Sequence, residues 1–202
     1  MSLFCFILGD DMEKHAKMQA APPSRGMRAL FEWLEEIVVA LTIVILILTF
    51  VFRVVTVSGS SMFPNYINGE RLIVANYSSK IEQGDVVVMT NVLDEPIIKR
   101  VIATEGQTVN IDYETGIVYV DGMALDETQY GVENGTTTSP SIAYEPLVFP
   151  QTVPDNCIFV LGDNRGVSKD SRYAEVGMVD VRHVLGEAVF VIFPFDRFGS
   201  VK

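Results

Sequence analysis

The chain has 202 residues, enough for one ordinary domain with an appendage or a membrane anchor. Hydrophobic residues make up 49% and charged residues 20%, a balance that excludes a disordered chain. The formal net charge of −11 argues against a nucleic-acid partner, because phosphate binding depends on Lys and Arg. Two cysteines and two histidines exclude a disulfide scaffold and a His-rich metal site, so we expect neither a metal nor another cofactor.

The first predicted element is an apolar helix near the N-terminus. Residues 37–52 carry no charge, and the apolar run resumes after Arg53. A membrane-spanning helix needs roughly 20 apolar residues. Arg53 can extend to the headgroups at one end, and Trp33 marks an interface at the other. A buried core helix and a cleavable signal peptide are the alternatives, the second disfavoured by the long polar stretch before the run. We therefore predict one uncleaved transmembrane helix over residues 28–56.

The charges that flank this helix predict its orientation. Only Arg53 closely follows the span, whereas four basic residues precede it: Lys14, Lys17, Arg25 and Arg28. The positive-inside rule then places residues 1–27 in the cytoplasm and residues 57–202 outside. The expected location is the cell membrane, with a single pass and an extracytoplasmic C-terminal domain.

The external part is predicted to be mainly β, folded as a barrel or as a sandwich-like pair of sheets. Short runs of branched residues alternate with turn signals at Gly84, Gly116 and Gly122. Residues 127–150 are predicted to be an irregular insertion, for which the sequence indicates no function. The predicted strands are residues 71–75, 85–90, 96–103, 109–113, 117–120, 158–161 and 188–193.

Two segments carry groups suited to chemistry, and the first follows the predicted anchor. Residues 57–64 read Val-Ser-Gly-Ser-Ser-Met-Phe-Pro. Gly59 permits an unusual backbone angle, Pro64 stiffens the exit, and small hydroxyl groups lie between them. From these residues alone, a serine nucleophile and a serine-rich linker are equally good interpretations.

The second segment is the predicted strand that contains Lys99. Strand alternation places Lys99 on one face with Ile97, Val101 and Ala103. A lysine among apolar side chains loses hydration of its charged form, so its pKa falls. A neutral amine can take the proton of a serine hydroxyl, as general-base activation of a nucleophile requires. The alternative is an edge-strand lysine whose amine simply extends into water.

A third segment makes the pattern more specific. Residues 162–172 read Gly-Asp-Asn-Arg-Gly-Val-Ser-Lys-Asp-Ser-Arg, which is similar to the GDN-R-x-x-S-x-D-S-R signature of bacterial type I signal peptidases. Residues 59–64 resemble the G-x-S-M-x-P box of that family, residues 99–103 its K-R-V-I-G box, and residues 84–87 its G-D-x-V box. Four boxes in family order behind an anchor extend the resemblance over about residues 35–195.

The resemblance implies a membrane-bound serine endopeptidase that removes signal peptides from secreted preproteins. Cleavage would follow small residues, at a site of the Ala-x-Ala type, and the partners would be signal peptides and the lipid bilayer. The alternative from another class is an anchored β domain that only binds or scaffolds. That alternative explains the anchor and the strands but not the four boxes.

The resemblance also implies a role for particular residues. Ser61 matches the nucleophile, Lys99 the general base, and Ser168 the residue that orients the lysine amine. Gly59 takes a position in the oxyanion hole, where the Ser61 backbone N–H would be the main donor. Arg100 with Asp170 and Arg172 would form a structural ion cluster. Asp163 and Asn164 would also support the site, and the substrate pockets would be lined by Val55, Val57, Met62 and Ile98.

The chain departs from the family pattern in a few places. Asn65 and Tyr66 replace the usual Thr-Leu after Pro64, and Ala103 replaces a glycine. None of these changes removes a catalytic group. Tyr66 leaves the detail of pocket specificity open.

Overall fold

The structure is a computed structural model that describes residues 25–75, 80–141 and 145–201. Most of the predicted cytoplasmic segment 1–27 therefore lies outside the described residues. The described part contains one α-helix, α1 (Arg25–Val51), and three short 3₁₀ helices, Glu127–Tyr130, Val181–His183 and Phe195–Arg197. Its strands are β1 (Phe52–Thr56), β2 (Arg71–Ala75), β3 (Val86–Met89), β4 (Ile97–Thr104), β5 (Thr108–Asp112), β6 (Ile117–Val120), β7 (Met123–Ala124), β8 (Gln151–Thr152), β9 (Cys157–Leu161), β10 (Val179–Asp180), β11 (Val184–Phe193) and β12 (Gly199–Ser200).

Helix α1 occupies most of the segment predicted to be an anchor, and its large apolar side chains along residues 37–46 are exposed. The prediction placed the end of the helix at residue 56, but α1 ends at Val51 and β1 follows directly. The β-branched Val54 and Val55 of β1 pair with Ile73 and Leu72 of β2, which favours a strand there. Within the part of the chain that the structure describes, no helix combines the length and the apolarity that a membrane crossing requires.

The larger sheet is antiparallel and has the strand order β1–β2–β11–β3–β4–β9–β10, with β12 paired to β11. Strand β4 lies inside this sheet, hydrogen-bonded to β3 on one side and to β9 on the other. Its residues from 98 to 103 are all buried. The position of β4 thus places two consecutive charged residues, Lys99 and Arg100, in the interior of the domain.

The smaller sheet has the order β7–β6–β5–β8 and packs on the β4–β9 part of the larger one. Ala103 and Phe159 of the larger sheet share a buried apolar cluster with Val109 and Val118 of the smaller sheet. This end of the domain is sandwich-like, and the larger sheet is open at β1 and β10. The prediction of a mainly β domain is confirmed.

Most of the strands follow the sequence pattern, and the differences have local causes. Each of the seven predicted strands overlaps an observed one, and the turn at residues 121–122 joins β6 to β7. Five strands were not predicted. Four of them, β7, β8, β10 and β12, have two residues each, too few to show alternation. Strand β1 was hidden in the apolar run of the predicted anchor. In the insertion, the described residues form a single 3₁₀ turn at Glu127–Tyr130.

The alternation predicted for β4 holds only in its first half. Ile97 and Val101 belong to one apolar cluster, as expected. Ala103, predicted on the same face, instead packs with Ile102 between the two sheets. The register against β9 shifts between Val101 and Ala103, and this irregularity reverses the faces. The prediction for Ala103 is therefore wrong.

Candidate active site

The structure brings Ser61 and Lys99 together, although 38 positions separate them. Lys99 Nζ lies 2.9 Å from Ser61 Oγ, and it also donates to the backbone carbonyl of Ile98 at 2.9 Å. Lys99 is 3% exposed, whereas Ser61 lies at the edge of a groove that is open to solvent. The two residues predicted as base and nucleophile are thus in direct contact.

Burial decides the protonation state of the Lys99 amine. Desolvation lowers the pKa of Lys99 from 10.5 to about 8, against the opposing attraction of the Asp170 and Asp163 carboxylates. Both carboxylates are paired with arginines, so their attraction for the ammonium form is weakened. The alternative of an edge-strand lysine that extends into water does not apply, because β4 is an interior strand.

The backbone on both sides of the nucleophile is held by Asn164. The Asn164 N–H donates to the carbonyl of Ser61 at 3.0 Å, and its side-chain amide donates to the carbonyl of Ser60 at 3.1 Å. Gly162 approaches the same place so closely that a β-carbon there would overlap Ser168 and the Ser61 carbonyl. The segment at residues 162–164, which is distant in the sequence from the turn that carries Ser61, therefore holds Ser61 in position.

The environment of Gly59 defines which groups could stabilise an oxyanion. Gly59 has a φ of +85°, a conformation that other residues rarely adopt. Its N–H donates to the Asn68 side chain at 3.0 Å and is therefore occupied. Among the described residues, the N–H of Ser61 has no hydrogen-bond partner. Of these two N–H groups, Ser61 is the available donor.

Two buried ion pairs lie beside the dyad. Arg100 makes a bidentate contact with Asp163, from Nε to Oδ1 at 2.9 Å and from Nη2 to Oδ2 at 2.8 Å. Arg172 binds Asp170 in the same way, and the Asp170 carboxylate also accepts from the N–H of Gly162 at 3.0 Å. The sequence predicted one cluster of Arg100 with Asp170 and Arg172. The structure pairs Arg172 with Asp170, whereas the carboxylate that pairs with Arg100 is Asp163.

Ser168 is close to the dyad but not bonded to it. Its hydroxyl is buried and, among the described residues, has no hydrogen-bond partner. The Ser168 backbone carbonyl accepts a hydrogen bond from Arg172 at 3.2 Å. This bond holds the backbone at Ser168 but does not orient its side-chain hydroxyl. Its predicted role in orienting the amine stays a prediction.

A third buried ion pair was missed by the sequence analysis. Glu127 of the insertion contacts Arg165 at 2.5 Å, with both side chains 1% exposed. Arg165 also donates to the Thr137 hydroxyl, and Arg172 donates to the carbonyl of Thr138 at 2.9 Å. The insertion is thus fastened to the segment that holds the nucleophile. Nothing in the local sequence near Glu127 indicated this contact across 38 positions.

The dyad opens into a groove of about 530 Å³. Of the four predicted pocket residues, Val55 and Ile98 line it, whereas Val57 and Met62 are buried in the apolar cluster below. The other parts of the lining, from the loop before β4 and from residues after Ser168, were not predicted from the sequence. The residues that line the groove are Val55, Thr56, Ser58, Ser61, Val88, Leu93, Asp94, Glu95, Pro96, Ile97, Ile98, Lys99, Lys169 and Glu175.

This arrangement can perform acyl transfer. A neutral amine within hydrogen-bond distance of a hydroxyl can take its proton, and the nearby N–H of Ser61 can bind a developing oxyanion. Together with the open groove beside Ser61, these features are those expected of a serine hydrolase.

A family model for signal peptidases, peptidase S26, matches residues 30–193, which is most of the chain. The chain therefore belongs to this family of serine endopeptidases.

The similarity to individual relatives extends over nearly their whole length. Signal peptidase I of Bacillus licheniformis is 33% identical over 175 residues, which cover 84% of this chain and 91% of the relative. For signal peptidase I S of Bacillus subtilis (strain 168) the identity is 33% over 174 residues, with coverage of 84% and 92%. Signal peptidase IB of Staphylococcus aureus (strain Mu50 / ATCC 700699) is 32% identical over 182 residues, with coverage of 85% and 93%. A crystal structure of signal peptidase I from Enterococcus faecalis V583 is 27% identical and covers 54% of this chain and 97% of that chain, with a TM-score of 0.41.

The environment of Lys99 predicts an unusual titration. We expect its amine to lose a proton with a midpoint of about 8, because desolvation outweighs the attraction of the two nearby carboxylates. Chemical shifts of selectively labelled lysine would measure this value, with Lys99→Arg to assign the signal. A midpoint for Lys99 at its ordinary value of 10.5 would contradict the burial argument.

Proposed function

We propose that this protein removes signal peptides from secreted preproteins, with Ser61 as nucleophile and Lys99 as general base. The observation that carries the proposal is the 2.9 Å contact between Lys99 Nζ and Ser61 Oγ at the edge of an open groove. Membership of the signal peptidase family and the names of the relatives support the substrate class.

The first half of the reaction forms an acyl-enzyme. Lys99 takes the proton of the Ser61 hydroxyl while Oγ attacks the carbonyl carbon of the scissile bond. The negative charge that develops on the carbonyl oxygen is stabilised by the N–H of Ser61. As the tetrahedral intermediate collapses, protonated Lys99 gives its proton to the leaving amine, and the mature protein departs.

The second half regenerates the enzyme with the same base. Lys99, neutral again, takes a proton from a water molecule that attacks the ester carbonyl at Ser61. Collapse of the second intermediate releases the signal peptide as a carboxylate, and the proton returns to Ser61 Oγ. One amine thus acts alternately as base and acid, which is efficient only if its pKa lies near the working pH. The lowered pKa of Lys99, about 8, meets this requirement.

Substitution of either member of the dyad tests the mechanism. Ser61→Ala and Lys99→Ala should each reduce cleavage of a preprotein by roughly a thousandfold or more, and the double variant should be little worse, because the two side chains act as a unit. Lys99→Arg should not restore activity, since guanidinium stays charged. Ser60→Ala removes a neighbouring exposed hydroxyl and should leave the rate unchanged. Appreciable cleavage by folded Lys99→Ala would contradict the assignment of the base.

The groove next to Ser61 supports a preference for small substrate residues. Val55 and Ile98 line it with apolar surface close to the nucleophile. A substrate side chain that enters there competes for space with the carbonyl that Ser61 must reach. We infer that Ala or Gly is preferred immediately before the cut, with small or aliphatic residues two positions earlier.

Substrate variants test this preference. Replacing the residue immediately before the cut by Phe should reduce kcat/KM by roughly a hundredfold, because displacing the carbonyl from Ser61 ruins the attack geometry. The matched control places Phe at the residue between the two small ones, whose side chain points the other way in an extended chain. That control should be cleaved at a similar rate to the original substrate. Equal cleavage of all three substrates would favour a general protease.

Helix α1 supports attachment to the lipid bilayer. Its described side chains from residue 37 to residue 46 are exposed and, apart from Thr42, apolar, and Trp33, which precedes them, is 68% exposed. A helix that is apolar all round is typical of a segment surrounded by lipid or by other protein. We infer that lipid covers α1, that the chain crosses the membrane once, and that residues 1–27 are cytoplasmic.

The two natural cysteines test this topology. In intact cells or spheroplasts, a membrane-impermeant maleimide should label Cys157, which is partly exposed and lies in the β domain, but not Cys5. Cys5→Ser and Cys157→Ser variants assign the signals, and labelling after disruption of the membrane shows that each thiol can react. Labelling of Cys5 in intact cells would contradict the orientation, and release of the protein by alkaline extraction would contradict membrane insertion.

A further inference from the structure

We propose that Asn65 and Tyr66 are positioning residues, which bind the Arg100–Asp163 ion pair and thereby hold Lys99 in register with Ser61. The inference rests on the proposed Ser/Lys mechanism. It concerns the two residues that follow Pro64 in the turn after Ser61.

Asn65 connects the nucleophile turn to the Asp163 carboxylate. Its side-chain amide donates to Asp163 Oδ2 at 2.8 Å and to the carbonyl of Tyr130 in the insertion at 2.7 Å. The carbonyl of Asn65 in turn accepts from Arg197 at 2.6 Å. The residue four positions after Ser61 is therefore fixed by three segments that are distant in the sequence.

Tyr66 binds the other partner of the same ion pair. The guanidinium of Arg100 donates to its hydroxyl, and the side chain is 3% exposed. The Tyr66 N–H also donates to the carbonyl of Met62 at 2.9 Å, which closes the turn that begins at Ser61. Consecutive residues of one turn thus bind the carboxylate and the guanidinium of one buried pair.

These contacts complete a closed path around the dyad. Arg100 follows Lys99 in β4, and Asp163 precedes Asn164, which binds the Ser61 carbonyl. A shift of the ion pair would therefore move both the base and the support of the nucleophile. Because β4 is held by β3 and β9, the contacts of Asn65 and Tyr66 tie the nucleophile turn to the rigid sheet.

The same contacts influence the charge around Lys99. Asp163 and Asp170 attract a proton to the amine, and the Asn65 amide donates to Asp163. Along the groove, further charged side chains line the site with Lys99, namely Asp94, Glu95, Lys169 and Glu175. Loss of a donor at Asp163, or a new negative charge beside it, should favour the protonated and inactive form of Lys99.

Kinetic analysis of the full chain in detergent, with a preprotein that carries an Ala-x-Ala site, tests the proposal. Rates are expressed per folded active site. Asn65→Ala and Tyr66→Phe should lower kcat roughly tenfold, with KM changed less than about threefold, because misplacement of a base affects the chemical step more than binding. Asn65→Asp should in addition shift the acidic limb of the pH profile upward by about half a unit or more.

Asn110 and Tyr119 provide matched controls. They are paired across β5 and β6 of the smaller sheet, and Asn110 is exposed. Asn110→Ala, Asn110→Asp and Tyr119→Phe make the same chemical changes away from the ion pair, and each should retain the kcat and the pH profile of the original chain.

The outcomes separate this proposal from the mechanism on which it rests. The positioning role alone would be overturned by one combination of results. In it, Ser61→Ala and Lys99→Ala are inactive, but the Asn65 and Tyr66 variants have the same kcat as their controls. An active Ser61→Ala would overturn the mechanism itself. If Asn65→Ala does not fold, Tyr66→Phe decides, because it removes a single oxygen atom. A kcat for that variant equal to the kcat of Tyr119→Phe would overturn the proposal.

Discussion

Burial of the Lys99 amine is the constraint on which the rest of the site depends. A buried amine can lose its proton near pH 8 only if nearby carboxylates do not strongly stabilise its charged form. Two carboxylates, Asp163 and Asp170, lie close enough to do so. Each is bound by an arginine in bidentate geometry, and this pairing lets desolvation dominate. The arginines are thus part of the electrostatics of the base as well as of the fold.

The architecture explains how such a site is maintained. Strand β4 carries Lys99 and Arg100 in the interior of the larger sheet, where neighbours on both sides restrict its movement. The nucleophile, by contrast, lies on a turn outside the strands, where Asn164 binds it on both sides. Because Lys99 lies on an interior strand and Ser61 on a separately supported turn, the distance between the two side chains is defined by elements that hold each of them in place.

The sequence predicted the strands well and singled out two side chains, Ser61 and Lys99, that the structure brings into contact, because both predictions depend on short-range signals. Alternation and turn residues define a strand locally, and the boxes at residues 59–64 and 99–103 are contiguous. The partner of Arg100 and the contact between Glu127 and Arg165 were not predictable, since each joins segments far apart in the sequence. The face of Ala103 was predicted wrongly because an irregular register against β9 leaves no mark in the residue pattern. Alternation therefore predicts which face of the sheet a side chain lies on only as far as the first irregularity in the strand.

The separation of these segments along the chain also has a consequence for biosynthesis. Ribosomes deliver Ser61 and Lys99 well before Asp163, Asn164 and Asp170, and Arg197, which donates to the Asn65 carbonyl, follows later still. Until residues 157–161 pair with β4, that strand lacks a neighbour on one side, and the burial that lowers the pKa of Lys99 is incomplete. The lowered pKa of Lys99 is thus a property of the nearly complete domain and not of strand β4 alone.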